Sequence, residues 1–268
     1  MGALMRRLLS FECEGAALGA SLDSAAGETG LLLVTGGTQT RIGSHRMYEG
    51  LARSLAQGGW PCFRYDRRGV GDSEGEDPDF KGSGPDLAAA AAAFRREQPQ
   101  LKRLIGFGLC DGASTLALHG RPAGIDAYIL ANPWFVEAEA GEPAAAAIKS
   151  RYKDQLLSIE GWKRLLSGSI SYRKVLKGLG KIVSSGPSSL AGEIAVALGK
   201  AQAPTQLVLA SGDGTAITAE AEWSSASFKA LRQANPAPVR IESDSHTFSR
   251  PGDEAALLAA VREALERL

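Results

Sequence analysis

Cysteine is scarce in this sequence, and neither sign of charge is in excess. The 268 residues include three cysteines, Cys13, Cys62 and Cys110, and this odd, sparse set fits neither a disulfide framework nor the spacing of a zinc site. Lys and Arg together number 30 and so do Asp and Glu, which gives a formal net charge of zero. That balance argues against nucleic acid or an anionic membrane surface as a partner.

Long apolar runs are missing as well. No stretch approaches the roughly 20 apolar residues of a membrane-spanning helix, and the apolar run after Arg6 and Arg7 is too short for a signal-peptide core. We therefore expect no membrane insertion and a cytoplasmic location, whose reducing environment keeps thiols free. The G-x-G-x-x-G spacing of a dinucleotide loop is absent too, and we expect neither a cofactor nor a metal.

What the sequence does contain is an alternation of strand-like and helix-like segments from residue 31 onwards. Ser44, for example, is predicted to cap a helix whose apolar face consists of Met47, Leu51 and Leu55. The predicted strands are 7–13, 15–22, 31–34, 62–65, 101–107, 125–130, 207–210 and 239–242. Such alternation predicts an α/β fold, with a mostly parallel central sheet and helices on both of its faces.

One segment interrupts this alternation. Between Trp134 and Pro204 the sequence has several helical stretches and no convincing strand. We interpret it as a helical lid insertion at 134–203, and we assign 1–133 and 204–268 to a single core domain.

The sharpest local signal is Gly108-Leu109-Cys110-Asp111-Gly112, which follows a predicted strand and precedes a predicted helix. A turn this tight requires glycine on both sides and projects its central side chain above the sheet. It also places that side chain at a helix N-terminus, where the dipole favours a thiolate. We interpret Cys110 as a nucleophile; the alternative is a small buried hydrophobe in a glycine-rich loop.

A cysteine nucleophile needs a base, and the sequence has three histidines. His246 lies in a polar loop just after the last predicted strand, where the base of α/β-hydrolases follows nucleophile and acid in chain order. His119 lies about two and a half helical turns from Cys110, too far to contact it at a rise of about 1.5 Å per residue. For His119 and for His45, in the first turn of an early helix, a structural role is favoured.

The base in turn needs a carboxylate that orients the imidazole. Asp213 follows the predicted strand 207–210, where this fold carries its acid, and is favoured over Asp244, which is two residues from His246. For the oxyanion hole we predict the backbone N–H groups of Asp111 and Thr38. The Gly36-Gly37 pair before Thr38 could also be a simple turn or, less readily, a pyrophosphate loop.

Taken in order, these segments resemble one known group. They are Gly43-Ser44-His45-Arg46, the stretch from Tyr65 to Ser73 that contains RRGVGDS, Gly108 to Gly112, Ser211-Gly212-Asp213, and Ser245-His246-Thr247-Phe248-Ser249. The combination is similar to the exosortase A system-associated hydrolase 1 family, a branch of the α/β-hydrolases, over nearly the whole chain. The resemblance implies an α/β-hydrolase fold, a bacterial cytoplasmic protein whose relatives' genes accompany exopolysaccharide and protein-sorting systems, and a Cys110–His246–Asp213 triad.

We therefore expect a hydrolase that cleaves an ester, thioester or lactone through an acyl-enzyme, because a thiolate attacks such activated carbonyls readily. An acyltransferase with the same triad stays open, and so does a catalytically silent binding or scaffold protein. Fast labelling of Cys110 by a thiol-directed electrophile would favour the enzyme.

The predicted lid also has a basic stretch that contains one acidic residue, Glu160. Its cations are Lys163, Arg164, Arg173, Lys174, Lys177 and Lys181. A solvated helix face is the simpler interpretation. The alternative is a dock for an acidic partner, such as a carrier that delivers the acyl substrate.

Overall fold

The structure, a computed structural model, describes residues 6–136 and 189–268. Within these residues one sheet contains the strands β1 (Arg6–Cys13), β2 (Ala16–Asp23), β3 (Thr29–Val34), β4 (Cys62–Tyr65), β5 (Arg103–Leu109), β6 (Ala127–Ala131), β7 (Thr205–Ala210) and β8 (Val239–Ile241). Their order across the sheet is β1-β2-β4-β3-β5-β6-β7-β8. The β1–β2 and β2–β4 pairs are antiparallel, and the pairs from β4 to β8 are parallel.

Helices cover both faces of the sheet. The described helices are α1 (Met47–Gln57), α2 (Asp79–Gly82), α3 (Gly84–Glu97), α4 (Asp111–His119), α5 (Ser189–Ala201), α6 (Gly214–Trp223), α7 (Lys229–Ala234) and α8 (Asp253–Arg267). Side chains of α3, α4, α5 and α6 pack on one face, together with Leu32 of β3. Those of α1 and α8 pack on the other, together with Leu31 and Leu33. Because successive strand residues point to opposite faces, a continuous apolar strand such as β3 serves both cores.

The predicted fold class is confirmed: the sheet is mostly parallel and lies between two helical layers. The predicted apolar face of α1 is also buried, since Met47, Leu51 and Leu55 each expose less than a twentieth of their surface. The predicted cap of that helix is wrong. Ser44 opens a short 3-10 turn, and α1 begins three residues later, after Arg46, which has a φ of 65° and gives no side-chain cap.

The predicted lid lies mostly outside the described residues. The chain leaves the sheet at the end of β6 and returns in β7, which pairs with β6 in parallel. Of the intervening residues, the structure describes 132–136 and the helix α5 with its exit. The basic stretch from Lys163 to Lys181 is not among them, so both the lid and its docking role stay predictions.

Within the described ranges, no helix combines the length and the apolarity needed to cross a bilayer.

Candidate active site

The loops after β5, β7 and β8 meet at one edge of the sheet. Cys110 directly follows β5, Asp213 follows β7 and His246 follows β8. The three strands are parallel, and their carboxyl ends therefore share one edge, the usual position of a binding site in sheets of this kind. Side chains far apart in the sequence are thereby brought together.

Cys110 has a backbone conformation that non-glycine residues rarely adopt, with φ 59° and ψ −127°. The two flanking glycines make this turn possible. A Cβ on Gly108 would lie 2.6 Å from the nitrogen of Ala113, and one on Gly112 would lie 2.4 Å from the carbonyl oxygen of Val34. Any larger residue would push α4 away from the sheet. The half-buried Cys110 side chain is therefore presented at the start of α4, where the predicted elbow would place it.

A buried hydroxyl joins the end of β5 to the end of β3. Tyr48 of α1 is fully buried; its O–H donates to the Val34 carbonyl at 2.9 Å, and its oxygen accepts the Leu109 N–H at 3.1 Å. Val34 precedes the predicted oxyanion loop and Leu109 precedes Cys110. One side chain thus fixes the spacing between the two segments that would contact a reacting carbonyl group.

His246 is paired with Asp213. Its Nδ1 lies 2.9 Å from Asp213 Oδ2, and the same oxygen accepts the Ala216 N–H at 3.0 Å. Asp213 is therefore the N-cap of α6 as well as the partner of the histidine. The helix cap fixes the carboxylate in place, and the carboxylate fixes the tautomer of the half-buried imidazole, with the proton on Nδ1.

The surroundings of His246 favour its charged form. Its hydrogen bond to Asp213, and next its hydrogen bond to the Cys110 sulfur, raise the pKa of His246 to about 10. An imidazolium between a carboxylate and a sulfur is the charge distribution expected of a thiolate–imidazolium pair. The structure thus brings together all three residues that the sequence analysis predicts for the triad.

The other candidates lie elsewhere. Asp244 is exposed and forms an ion pair with Arg250, with 2.7 Å between Oδ1 and Nε. His119 is half-buried beside Gly84, where burial lowers its pKa. His45 is exposed, but its Nε2 lies 2.8 Å from the Thr247 carbonyl, so it supports the loop that carries His246.

The predicted oxyanion loop is tied to the elbow by the residue after Cys110. The Gly37 N–H donates to Asp111 Oδ1 at 2.6 Å. The loop and the elbow are so close that a Cβ on Gly36 would lie 2.3 Å from that same oxygen. Burial raises the pKa of Asp111, while the Gly37 N–H opposes this effect. Since the Gly37 donor is engaged, Thr38, exposed in the same turn, is the next donor along the loop.

The sequence analysis missed two residues that support the site, Tyr48 and Asn132, and it favoured a structural role for His45 without identifying its partner, the Thr247 carbonyl. Asn132 had a usable signal, because it is the first residue after a buried strand and therefore belongs to the same sheet edge. The sequence carried no such signal for Tyr48, because helical periodicity indicates which face of a helix is buried but not which groups a buried hydroxyl will bind. In the described part of the chain, no group of three or more His, Cys, Asp or Glu side chains could hold a metal ion.

Comparison with known proteins agrees with the architecture. Residues 32–181 match the family model Hydrolase_4, described as serine aminopeptidase, S33. Similar solved structures include an esterase from Pyrococcus furiosus, with a TM-score of 0.66 and 16% identity over 99% of this chain and 91% of that one. An α/β serine hydrolase without a lid from Xanthomonas campestris has a TM-score of 0.63 and 15% identity, over 100% and 96%.

A dienelactone hydrolase from Anabaena variabilis also has a TM-score of 0.63 and 15% identity, over 98% of this chain and 97% of that one. At these identities the likeness shows a shared fold. No curated protein matches the sequence. The family match includes the predicted oxyanion loop and Cys110 and ends before Asp213 and His246.

Proposed function

The chain belongs to the Hydrolase_4 family of α/β-hydrolases, and on that premise we propose that it is an acyl hydrolase whose nucleophile is Cys110, with His246 as acid–base and Asp213 as its orienting carboxylate. The family description and the Xanthomonas relative name serine enzymes. Here a cysteine occupies the strained turn, so the proposed enzyme differs from these relatives in its nucleophile.

The observation that carries the proposal is the conformation of Cys110 combined with its partner. The protein maintains a strained backbone at that residue, and the imidazole that Asp213 orients is close enough to the Cys110 sulfur for that sulfur to raise the pKa of His246. Strain of this kind costs on the order of 1–3 kcal/mol and persists where the surrounding structure enforces it. A cysteine with only a packing role would need neither the strained turn nor the charged partner.

In the first half of the proposed reaction, the Cys110 thiolate attacks the carbonyl carbon of the substrate. The carbonyl oxygen becomes an oxyanion, which accepts hydrogen bonds from the N–H groups of Asp111 and Thr38. The His246 imidazolium donates its Nε2 proton to the leaving group as the bond to it breaks. The product of this half-reaction is a thioester between the acyl group and Cys110.

In the second half, water attacks the thioester while neutral His246 accepts a proton from it. The oxyanion forms again at the same donors, and its collapse expels the Cys110 thiolate. The carboxylic acid product leaves, and His246 is again the imidazolium that pairs with the thiolate. Asp213 stabilises that charge in both halves without taking the proton itself.

The proposed substrates are thioesters, lactones and activated esters, because a thioester intermediate forms more readily from these than from an unactivated amide. An esterase and a dienelactone hydrolase among the similar structures act, by their names, on bonds of this class. The segments between Gly43 and Ser249 resemble the exosortase A system-associated hydrolase 1 family, and this resemblance supports the narrower proposal of a cytoplasmic, exosortase-associated hydrolase.

The test is a panel of thioesters, lactones and esters assayed with the wild type and with Cys110→Ala. We expect hydrolysis by the wild type and none by the variant; equal activity in the two would rule out Cys110 as the nucleophile. An alcohol acceptor added to the same assay separates hydrolysis from acyl transfer by its products.

Labelling with a thiol-directed electrophile supplies an independent test with internal controls. Cys13 and Cys62 are buried, and burial raises the pKa of both thiols, that of Cys13 to about 12. At neutral pH the native protein should therefore be modified at Cys110 alone, which peptide mass spectrometry locates. Slow labelling of Cys110, at the rate of an ordinary exposed thiol, would instead favour a silent scaffold protein.

A further inference from the structure

Asn132 connects the acid strand to the histidine loop. It is fully buried and directly follows β6. Its Oδ1 accepts the N–H of Ala210, the last residue of β7, at 2.8 Å, and its Nδ2 donates to the carbonyl oxygen of His246 at 2.8 Å. Its own N–H donates to the Val208 carbonyl at 3.0 Å. One amide thus contacts both the strand that leads to Asp213 and the backbone of His246.

We propose that Asn132 is a positioning residue of the hydrolase: its buried side-chain amide, bonded to Ala210 N and His246 O, sets the distance between the Asp213 carboxylate and the His246 imidazole. This inference rests on the proposed function. It adds a residue whose hydrogen bonds go to backbone atoms of β7 and of the histidine loop.

The position requires three properties together, and asparagine has all of them. It needs an acceptor for Ala210, a donor for His246, and a backbone that tolerates the left-handed region, since φ at Asn132 is 37°. Asparagine is among the few non-glycine residues that adopt positive φ at low cost. Aspartate has the right shape, but when ionised its two oxygens only accept.

The histidine loop has further contacts, since Ser243 O accepts the Gly212 N–H at 2.8 Å and Ser245 O accepts the Phe248 N–H at 3.2 Å, but the carbonyl of His246 itself is bound by Asn132. The next carbonyl, that of Thr247, receives the His45 Nε2 at the protein surface, and Phe248 follows in a left-handed conformation with φ 54°. Of the contacts to the carbonyls of His246 and Thr247, the one from Asn132 is the more buried. Its loss would let the loop shift, and a shift near 1 Å at a catalytic group can cost about 10²-fold in rate.

Asn132→Asp is the decisive variant, because its carboxyl group reproduces the amide only while it is protonated. The protonated group can donate to the His246 carbonyl and accept from Ala210; the ionised group repels that carbonyl. Burial raises the pKa of such a carboxyl. The titratable groups near it are His246 and Asp213 on the two loops, Asp244, which is exposed and paired with Arg250, and Cys110, whose N–H donates to the carbonyl of the neighbouring Ala131. Activity relative to wild type should therefore fall as pH rises, with kcat reduced and KM unchanged.

Asn235 provides a matched control at the opposite end of the same strand. Its Oδ1 accepts the N–H of Thr205, the first residue of β7, at 2.7 Å, and its Nδ2 donates to the Leu231 carbonyl at 2.8 Å. Asn235→Asp therefore makes the same chemical change with the same kind of partners, away from the site. Its activity relative to wild type should not change with pH.

The measurements are kcat and KM from pH 5 to 9 and thermal unfolding of each variant over the same range. A pH-dependent loss of kcat in Asn132→Asp, absent from Asn235→Asp, supports the proposal, and Asn132→Leu should lose about 10²-fold at every pH. Equal profiles for the two aspartate variants would overturn it, as would a loss explained by unfolding alone. If Asn132→Leu does not fold, the near-isosteric aspartate variant still decides. Failure of the proposed function would appear separately, as turnover by Cys110→Ala.

Discussion

Two regions of this molecule use buried polar groups in opposite ways. Across the strands β1, β2 and β4, Asp23 of β2 is fully buried and pairs with Arg6 of β1 at 2.7 Å and with Arg64 of β4 at 3.3 Å. Charged groups there neutralise one another, and Arg64 exposes only 2% of its surface. At the carboxyl edge, by contrast, Cys110 is half-buried, strained and paired with a histidine that can gain or lose a proton.

The difference indicates what each region is for. Ion pairs between buried side chains hold a fixed geometry and offer no group to a substrate. At the site, the polar groups are aimed at a few reactive atoms, and hydrogen bonds from uncharged groups such as Tyr48 and Asn132 fix the supporting backbone. Substitutions at the site should therefore reduce rate, whereas those in the ion-pair cluster should reduce stability.

Replacing the sulfur gives the largest expected effect. Cys110→Ala should abolish turnover, and Cys110→Ser should lose more than about 10²-fold, because a serine hydroxyl does not ionise to pair with the imidazolium and proton transfer becomes the difficult step. The measurement is kcat/KM on a thioester, with circular dichroism to confirm folding. Cys62→Ala, which removes a buried thiol from β4, is the control and should retain activity. A serine variant as active as the wild type would contradict the thiolate mechanism.

Removal of the orienting carboxylate, Asp213, should have the second largest effect on the rate. In Asp213→Asn the main cause of the raised pKa of His246 is removed, so that pKa should fall from about 10 toward the ordinary value near 6.5. Because the imidazolium must protonate the leaving group, activity is lost as pH rises through the histidine pKa. The alkaline limb of kcat/KM should therefore move to lower pH, with a loss of about 10²-fold at neutral pH.

Asp244→Asn is the matched control for this shift. It removes an exposed carboxylate close to His246 whose partner is Arg250. We expect the alkaline limb to stay where it is in the wild type. A shift of equal size in the two variants would mean that general charge near the loop, and not the specific pair with Asp213, determines the titration.

Removal of the Tyr48 hydroxyl, which joins β3 to β5, should reduce the rate less than the substitutions above. Tyr48→Phe leaves the Leu109 N–H and the Val34 carbonyl buried without this partner, which costs about 1–3 kcal/mol of unfolding free energy. It also loosens the spacing between elbow and oxyanion loop, and we expect kcat to fall about tenfold. Denaturant unfolding and steady-state kinetics measure the two effects.

Tyr128→Phe controls for the loss of a buried phenol oxygen. The Tyr128 hydroxyl is also buried but has no hydrogen-bond partner among the described residues. Its removal should leave both stability and kcat unchanged or slightly improve stability. If Tyr128→Phe lowers kcat as much as Tyr48→Phe does, the two hydrogen bonds of the Tyr48 hydroxyl have no special role in catalysis.

The smallest effect on rate is expected in the ion-pair cluster. Asp23→Asn leaves Arg64 buried without its carboxylate, and breaking a buried pair in this way costs about 3–5 kcal/mol. The kcat of the folded fraction should nevertheless equal that of the wild type. Glu28→Gln removes an exposed partner of Lys102, and it should change neither the free energy of unfolding nor kcat by much. A fall in kcat for Asp23→Asn would show that the two regions are coupled.

The sequence indicated most of the fold and the residues that converge at the site, because both depend on local patterns. Apolar runs mark the strands, and glycine on either side of Cys110 marks the turn, whose tightness the structure explains through Ala113 and Val34. Contacts that depend on how two loops approach each other correspond to no local pattern in the sequence. The Gly37–Asp111 bond and the Asn132 bridge join residues 74 and up to 114 positions apart.

The failed cap at Ser44 has a related cause. The residue type was right for a cap, but the chain makes a 3-10 turn first, and His45 and Arg46 both have positive φ. Propensity at one position cannot indicate that the following turn bends away from the helix. That turn is also what brings His45 to the Thr247 carbonyl.

The isolation of the three thiols has a consequence for oxidation. The Cys13 thiol donates a hydrogen bond to Asp86 Oδ1, with 3.2 Å between Sγ and Oδ1, and Cys62 is fully buried. Of the three cysteines, Cys110 is the one partly exposed to solvent. If peroxide converts Cys110 to a sulfenic acid, neither of the others is placed to form a disulfide that would protect it. Repair would then depend on a small thiol such as glutathione entering from outside, and without one the sulfur would advance to the irreversible acids.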